Sequence, residues 1–123
     1  MYATARDWAT FGLLYLQNGV WNGEAILPSW WVSYSSKPTP TEPKGRYGAH
    51  FWTNGGDAVP EKRRPMPSLP GDTFYAMGYE GQYVMIVPSR KLVVVRLGQT
   101  KKSWDVEGFV SEVLDSIHCP QLR

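Results

Sequence analysis

Hydrolytic chemistry needs a nucleophile within reach of a base, and the first question is whether this chain has the residues for one. It holds two histidines, His50 and His118, and a single cysteine, Cys119. The histidines are far apart in sequence and neither has an evident partner, so each reads as structural. No Ser-x-x-Lys, Tyr-x-Asn, Ser-x-Asn or Lys-Thr-Gly occurs. There is no Gly-x-Ser-x-Gly elbow, no His-Glu-x-x-His and no phosphate loop. A lone cysteine excludes an internal disulfide and a cysteine-based zinc site, and Cys119 beside Pro120 reads as an inert thiol. No metal and no cofactor is expected. Residue chemistry alone therefore gives no nucleophile–base pair.

Composition narrows the remaining classes. A length of 123 residues suits one modest domain with one core. Six Trp and seven Tyr supply large amphipathic rings for a core, an interface or a ligand groove. The net charge of +2 is too small, and too evenly mixed, to argue for nucleic acid. The densest basic run, Lys62-Arg63-Arg64, lies between Pro60 and Pro65 and reads as a solvated loop. No signal peptide and no apolar run long enough to span a membrane is found, so no membrane partner is expected and no compartment is assigned.

The elements that must position any site are organised around Phe74 to Leu97. Tyr83–Val87 and Leu92–Val95 are short apolar, β-branched runs, which read as strands buried on both faces. Pro88-Ser89-Arg90-Lys91 between them is a turn. Phe74–Met77 is a third strand, joined to the second through Gly78-Tyr79-Glu80-Gly81, where flanking glycines tolerate positive φ. Arg46 to Thr53 alternates and reads as a further strand. Residues 57–73 form a long, proline-rich connection, functional or disordered.

Thr4 should cap a first helix, with Asp7 completing an acidic capping box and Asn18-Gly19 stopping it. Its Trp8, Phe11 and Tyr15 stripe reads as core. Trp21-Asn22-Gly23-Glu24 is a tight hairpin turn. A short helix from Pro28 to about Ser35 carries Trp30, Trp31 and Tyr34 on an aromatic face. Ser103 is expected to cap a last helix, with Asp105 and Glu107 in its first turn. Its apolar face would be Trp104, Phe109, Val110, Val113, Leu114 and Ile117. The expected class is α+β: an antiparallel sheet, its C-terminal meander flanked by N-terminal and C-terminal helices.

Several stretches resemble one family. Residues 3–28, from Ala-Thr-Ala-Arg-Asp-Trp to Ala-Ile-Leu-Pro, are similar to a late helix and turn of the β-lactamase-like serine hydrolases. These include class C β-lactamases, penicillin-binding-protein-like esterases and 6-aminohexanoate-dimer hydrolases. Tyr47-Gly48-Ala49-His50-Phe51-Trp52 resembles the strand that follows there, and Gly78 to Pro88 the strand pair carrying the third active-site motif. The resemblance spans nearly the whole chain and corresponds to the C-terminal third of such an enzyme, as a single domain.

It implies a catalytically incomplete portion, because the family's Ser, Lys and Tyr base lie earlier in the chain. Ala76-Met77-Gly78 falls on the Lys-Thr-Gly motif, with only Gly78 matched. The backbone N–H of Tyr79 would then complete an oxyanion hole. A register shifted to Tyr79-Glu80-Gly81 is the second alignment. Gly78, Glu80, Gly81, Trp52, Phe74 and Tyr75 would bind a small ester or amide in the parent enzyme. Without the resemblance, Gly78 and Gly81 would only close a hairpin.

Two function classes follow. One is a piece of a serine hydrolase. The other is a free-standing binding or interaction module that kept the sheet without the catalysis, for which Met1 would be a natural start. An upstream reading frame encoding Ser-x-x-Lys, or a stop codon, separates them. In the family the last strand pairs on both sides, so residues 91–97 should expose an apolar edge here. Either a homodimer pairs it with its own copy, or a local segment folds over it.

Overall fold

The computed structural model describes residues 2–100 and 102–118. Met1 and Cys119, both singled out above, lie outside them. Helix α1 (Ala5–Leu16) begins with the expected box: Thr4 Oγ1 accepts from the Asp7 N–H, and the Asp7 carboxylate accepts from the Thr4 N–H, both at 3.0 Å. Beyond it, Asn18 and Gly19 turn left-handed, with φ of 58° and 84°. β1 (Val20–Trp21) and β2 (Glu24–Ala25) form a small hairpin about Asn22-Gly23, both at positive φ. Helix α2 spans Trp31–Ser35.

A four-stranded antiparallel sheet follows in the order β3 (Trp52–Thr53), β4 (Phe74–Gly78), β5 (Gln82–Val87) and β6 (Leu92–Arg96). The meander is the one expected, and the architecture is α+β. Side chains of β5 alternate between two cores. Met85 and Val87 meet Tyr75, Met66, Leu69 and, from helix α3 (Val106–His118), Val110 and Leu114. Ile86 meets Phe74, Phe51 and Val32, with Tyr15 and Leu16 of α1 packed alongside. The sheet is thus a middle layer between α1 and α3. β5 is buried on both faces as expected, whereas every residue of β6 is half-buried because it is the sheet's last strand.

Several expectations need correcting. The first is the strand Arg46–Thr53, of which only Trp52–Thr53 is strand. Tyr47 bridges back to Trp52, and the Gly48 N–H donates to Phe51 C=O at 2.8 Å. His50 sits at φ 71°, so the segment folds on itself. Gly48 permits this, because a Cβ there would collide with the Ser35 and Lys37 carbonyls. The second concerns α1, whose closest approach to the sheet is made by Gly12 rather than by the aromatic stripe. A Cβ on Gly12 would stand 2.7 Å from Val93 Cγ1 and 3.3 Å from Val84 Cγ1. Phe11 stays 36% exposed.

Helix α3 is capped by Asp105, whose Oδ1 accepts from the Gly108 N–H at 2.9 Å, not by Ser103. Phe109 and Ile117 lie outside its buried face, which Val110 and Leu114 form. On α2 the aromatic face is turned outward, with Trp30 and Tyr34 each 60% exposed.

Candidate functional site

β3 is too short to cover β4. It ends opposite Tyr75, in the pairs Trp52↔Tyr75 and Thr53↔Phe74, and the chain then bends away at His50. The N–H of Asn54 donates to Thr73 C=O at 3.0 Å. Backbone groups in an antiparallel ladder alternate in direction, so Thr73, Tyr75 and Met77 address the β3 side while Phe74, Ala76 and Gly78 address β5. The N–H and C=O of Met77 therefore lie on an open edge. The same alternation carried one step on directs the Tyr79 N–H to that side.

The turn after β4 is built to hold this edge. Glu80 and Gly81 both adopt left-handed backbone, at φ 58° and 83°. Sequence placed that freedom in the two flanking glycines; only Gly81 uses it, and Glu80 takes it in place of Gly78. The Tyr79 carbonyl accepts from Gln82 Nε2 at 3.2 Å. The Gly81 carbonyl accepts from Arg96 Nη1 at 2.6 Å, and the Glu80 carbonyl from the Thr100 N–H at 3.0 Å.

A cleft of about 480 Å³ opens at this end of the molecule, between the sheet and the start of α1. Ala76, Met77, Gly78, Gln82 and Val84 form one wall, and Tyr2, Trp8 and Leu97 contribute the others. No charged side chain lines it. An uncharged group with one carbonyl or amide to pair suits such a surface. Among the described residues no three of His, Cys, Asp and Glu gather at metal-binding distances.

The residues expected at the site separate into two groups. Gly78, Tyr79, Glu80 and Gly81 lie together at the turn, with Tyr79 79% exposed. Phe74 and Tyr75 are 1% and 9% exposed and belong to the cores on opposite faces. Burial pushes the Tyr75 phenol above its ordinary pKa, with the neighbouring Tyr83 adding to the rise. Trp52 faces the α3 side and stacks edge-on with Tyr47 at 5.0 Å, away from the cleft. Phe74, Tyr75 and Trp52 thus offer no surface to the cleft. Trp8 and Gln82, which do, were missed: helical spacing placed Trp8 in the core stripe, and nothing in a period-two pattern distinguishes Gln82. Arg96, the last residue of β6, also reaches the turn with its side chain.

The fold is related to that of a hydrolase. Compared with solved structures, it matches a chain described as "Putative 6-aminohexanoate-dimer hydrolase from Bacillus anthracis", with a TM-score of 0.63 and 28% identity. That match covers 94% of this chain and 28% of the neighbour. An uncharacterized protein of Alkalihalophilus pseudofirmus is 32% identical over 101 residues, which are 78% of this chain and 29% of that protein. The chain thus spans under a third of the length of either relative. No protein-family model matches it.

Proposed function

We propose that this chain is the C-terminal, sheet-bearing portion of a β-lactamase-like serine hydrolase acting on uncharged esters or amides. The open backbone edge of Met77–Tyr79 beside an uncharged cleft carries that reading. A substrate carbonyl laid along this edge would find the Met77 backbone for alignment and the Tyr79 N–H for the developing oxyanion. Gly78 adds no side chain that would hold the substrate off. The likeness to a hydrolase chain over 94% of these residues supports it. So does the order of the motif-like stretches. Ala76 stands where the motif would carry Lys, which removes the cation that recognises an anionic substrate and favours neutral ones. With no Ser-x-x-Lys and no Tyr base in these residues, the chain alone should bind without turning over.

The test combines binding and chemistry. Incubation with p-nitrophenyl esters, a chromogenic β-lactam and a fluorophosphonate is expected to give no turnover and no adduct. Titration with N-phenethylacetamide is expected to move the amide resonances of Met77–Gly81 and the indole of Trp8. Turnover above background, a stoichiometric mass shift on a serine, or shifts confined to Lys62–Arg64 would refute the reading.

A second reading, a binding module without catalysis, is favoured by the closed packing on both faces of β5, where Met85, Ile86 and Val87 are wholly buried by this chain alone. The coding sequence upstream of Met1 decides between the two, by the presence or absence of an in-frame Ser-x-x-Lys.

A further inference from the structure

Arg96 closes β6, and its side chain leaves the sheet on the α3 face with Leu92 and Val94. Among the described residues it pairs with no carboxylate. Its Nη1 donates to Gly81 C=O at 2.6 Å and to Glu80 C=O at 3.4 Å, and its Nη2 to Thr100 Oγ1. The guanidinium carbon lies 4.5 Å from the centre of the Trp104 ring, which itself packs on Tyr83 and Phe109. A planar fork on an aromatic floor has one orientation, so the carbonyls it holds are fixed with it. The consecutive peptides around Tyr79 are each held on the carbonyl side. Gly78 sits in the ladder opposite Gln82, Tyr79 C=O accepts from Gln82, and Glu80 and Gly81 accept from Arg96. The Tyr79 N–H shares a peptide plane with the Gly78 carbonyl, so the ladder directs it toward the open edge of β4, and the Arg96 bonds hold the turn that follows. The left-handed Glu80 would otherwise be free to relax to ordinary backbone.

We propose that Arg96 is a positioning residue: through the Glu80 and Gly81 carbonyls it holds the turn that ends β4 in one conformation, and it thereby governs how tightly the edge holds a substrate carbonyl. This rests on the reading of Met77–Tyr79 as the substrate edge. Charge alone does not suffice for the role, since a lysine ammonium could satisfy one carbonyl but not span Gly81 and Thr100 while lying flat on Trp104.

The experiment measures two quantities separately on the same chain: amide order parameters at residues 79–81, and the dissociation constant of N-phenethylacetamide from its amide shifts. Arg96→Gln and Arg96→Lys should both lower the order parameters and weaken binding about tenfold. Thr100→Val, which removes one partner of the guanidinium and keeps the fork on Gly81, should fall between them and the wild type. It also serves if the Arg96 variants do not fold. Asp72→Ala removes the hydrogen bonds to the Ser89 N–H and hydroxyl at the other end of the sheet, and should leave both quantities unchanged. A loosened turn that still binds as tightly as the wild type overturns the proposal. So does an Arg96→Lys variant identical to the wild type, or an Asp72→Ala variant weakened equally. Absence of any shift at Met77–Gly81 in the wild type overturns the substrate-edge reading itself, and is told apart by a turn that still loosens in Arg96→Gln.

Discussion

Tyr75 shows how much a residue's role depends on which face of a strand it takes. Sequence marked it as a groove residue because it stands beside the turn; the register puts it opposite Met85, facing α3. Its phenol is held above the usual pKa of 10.0, first by burial and then by Tyr83. In the unfolded chain the phenol ionises near its ordinary value while the folded chain keeps its proton. The folded state therefore binds more protons above that pH, and stability falls as pH rises. Below it, the contribution is fully present. The wild type should accordingly lose more stability to urea between about pH 9 and about pH 11 than Tyr75→Phe does. Equal losses in the two proteins would contradict this assignment.

Among the elements, residues 57–73 have the clearest organising residue, and it lies outside them. Asn54 is fully buried. Its Nδ2 donates to the carbonyls of Met66, Leu69 and Pro70, at 2.9, 3.2 and 3.0 Å, and its Oδ1 accepts from the Met66 N–H at 2.8 Å. Met66 and Leu69 are thereby seated in the α3-side core. Asn54→Ala leaves those groups without partners and should cost about 2–4 kcal/mol, read from urea denaturation. Asn54→Asp should be no better, since it restores the acceptor and not the donor. A change below 1 kcal/mol, allowing about that much for net hydrogen bonding, would mean that the loop holds itself.

This hub also marks what the sequence could and could not convey. Capping boxes, an Asn-Gly turn and β-branched runs act over a few residues, so α1, the first hairpin and the meander were legible. Asn54 reads only as a turn signal, because its partners stand 12 to 16 positions away. The alternation of 46–53 was real but belonged to a reversal packed closely on the Ser35 and Lys37 carbonyls, a contact no local pattern encodes. The turn at Gly78–Gly81 was legible as a turn. Its restraint by Arg96, fifteen residues on from Gly81, was not.

At the scale of the whole molecule, the sheet ends on β6. Among the described residues β6 pairs only with β5, in the pairs Val87↔Leu92 to Tyr83↔Arg96. Continuing the alternation across the sheet, Val93 and Val95 turn their backbone groups outward. These are symmetric about Val94, so an antiparallel copy of the same strand would match them, each new hydrogen bond contributing about 0.5–1.5 kcal/mol. We propose that a second copy occupies this edge when nothing else does. Sedimentation of the wild type should report a dimer, and Val95→Pro, which deletes an outward N–H and no bond to β5, a monomer. A wild type that stays monomeric at high concentration, with slow exchange at Val93 and Val95, would mean that the edge is already covered.

The placement of β5 has one more consequence. Because Met85 and Val87 belong to one core and Ile86 to the other, neither helix layer can come away without baring a strand that the opposite layer still needs. The two cores thus share their unfolding, and loss of α1 or α3 is not a partial melting but the start of a complete one. Amide protons at the centre of β5 should leave only when the entire chain opens, so their exchange rates measure the stability of the molecule as a unit.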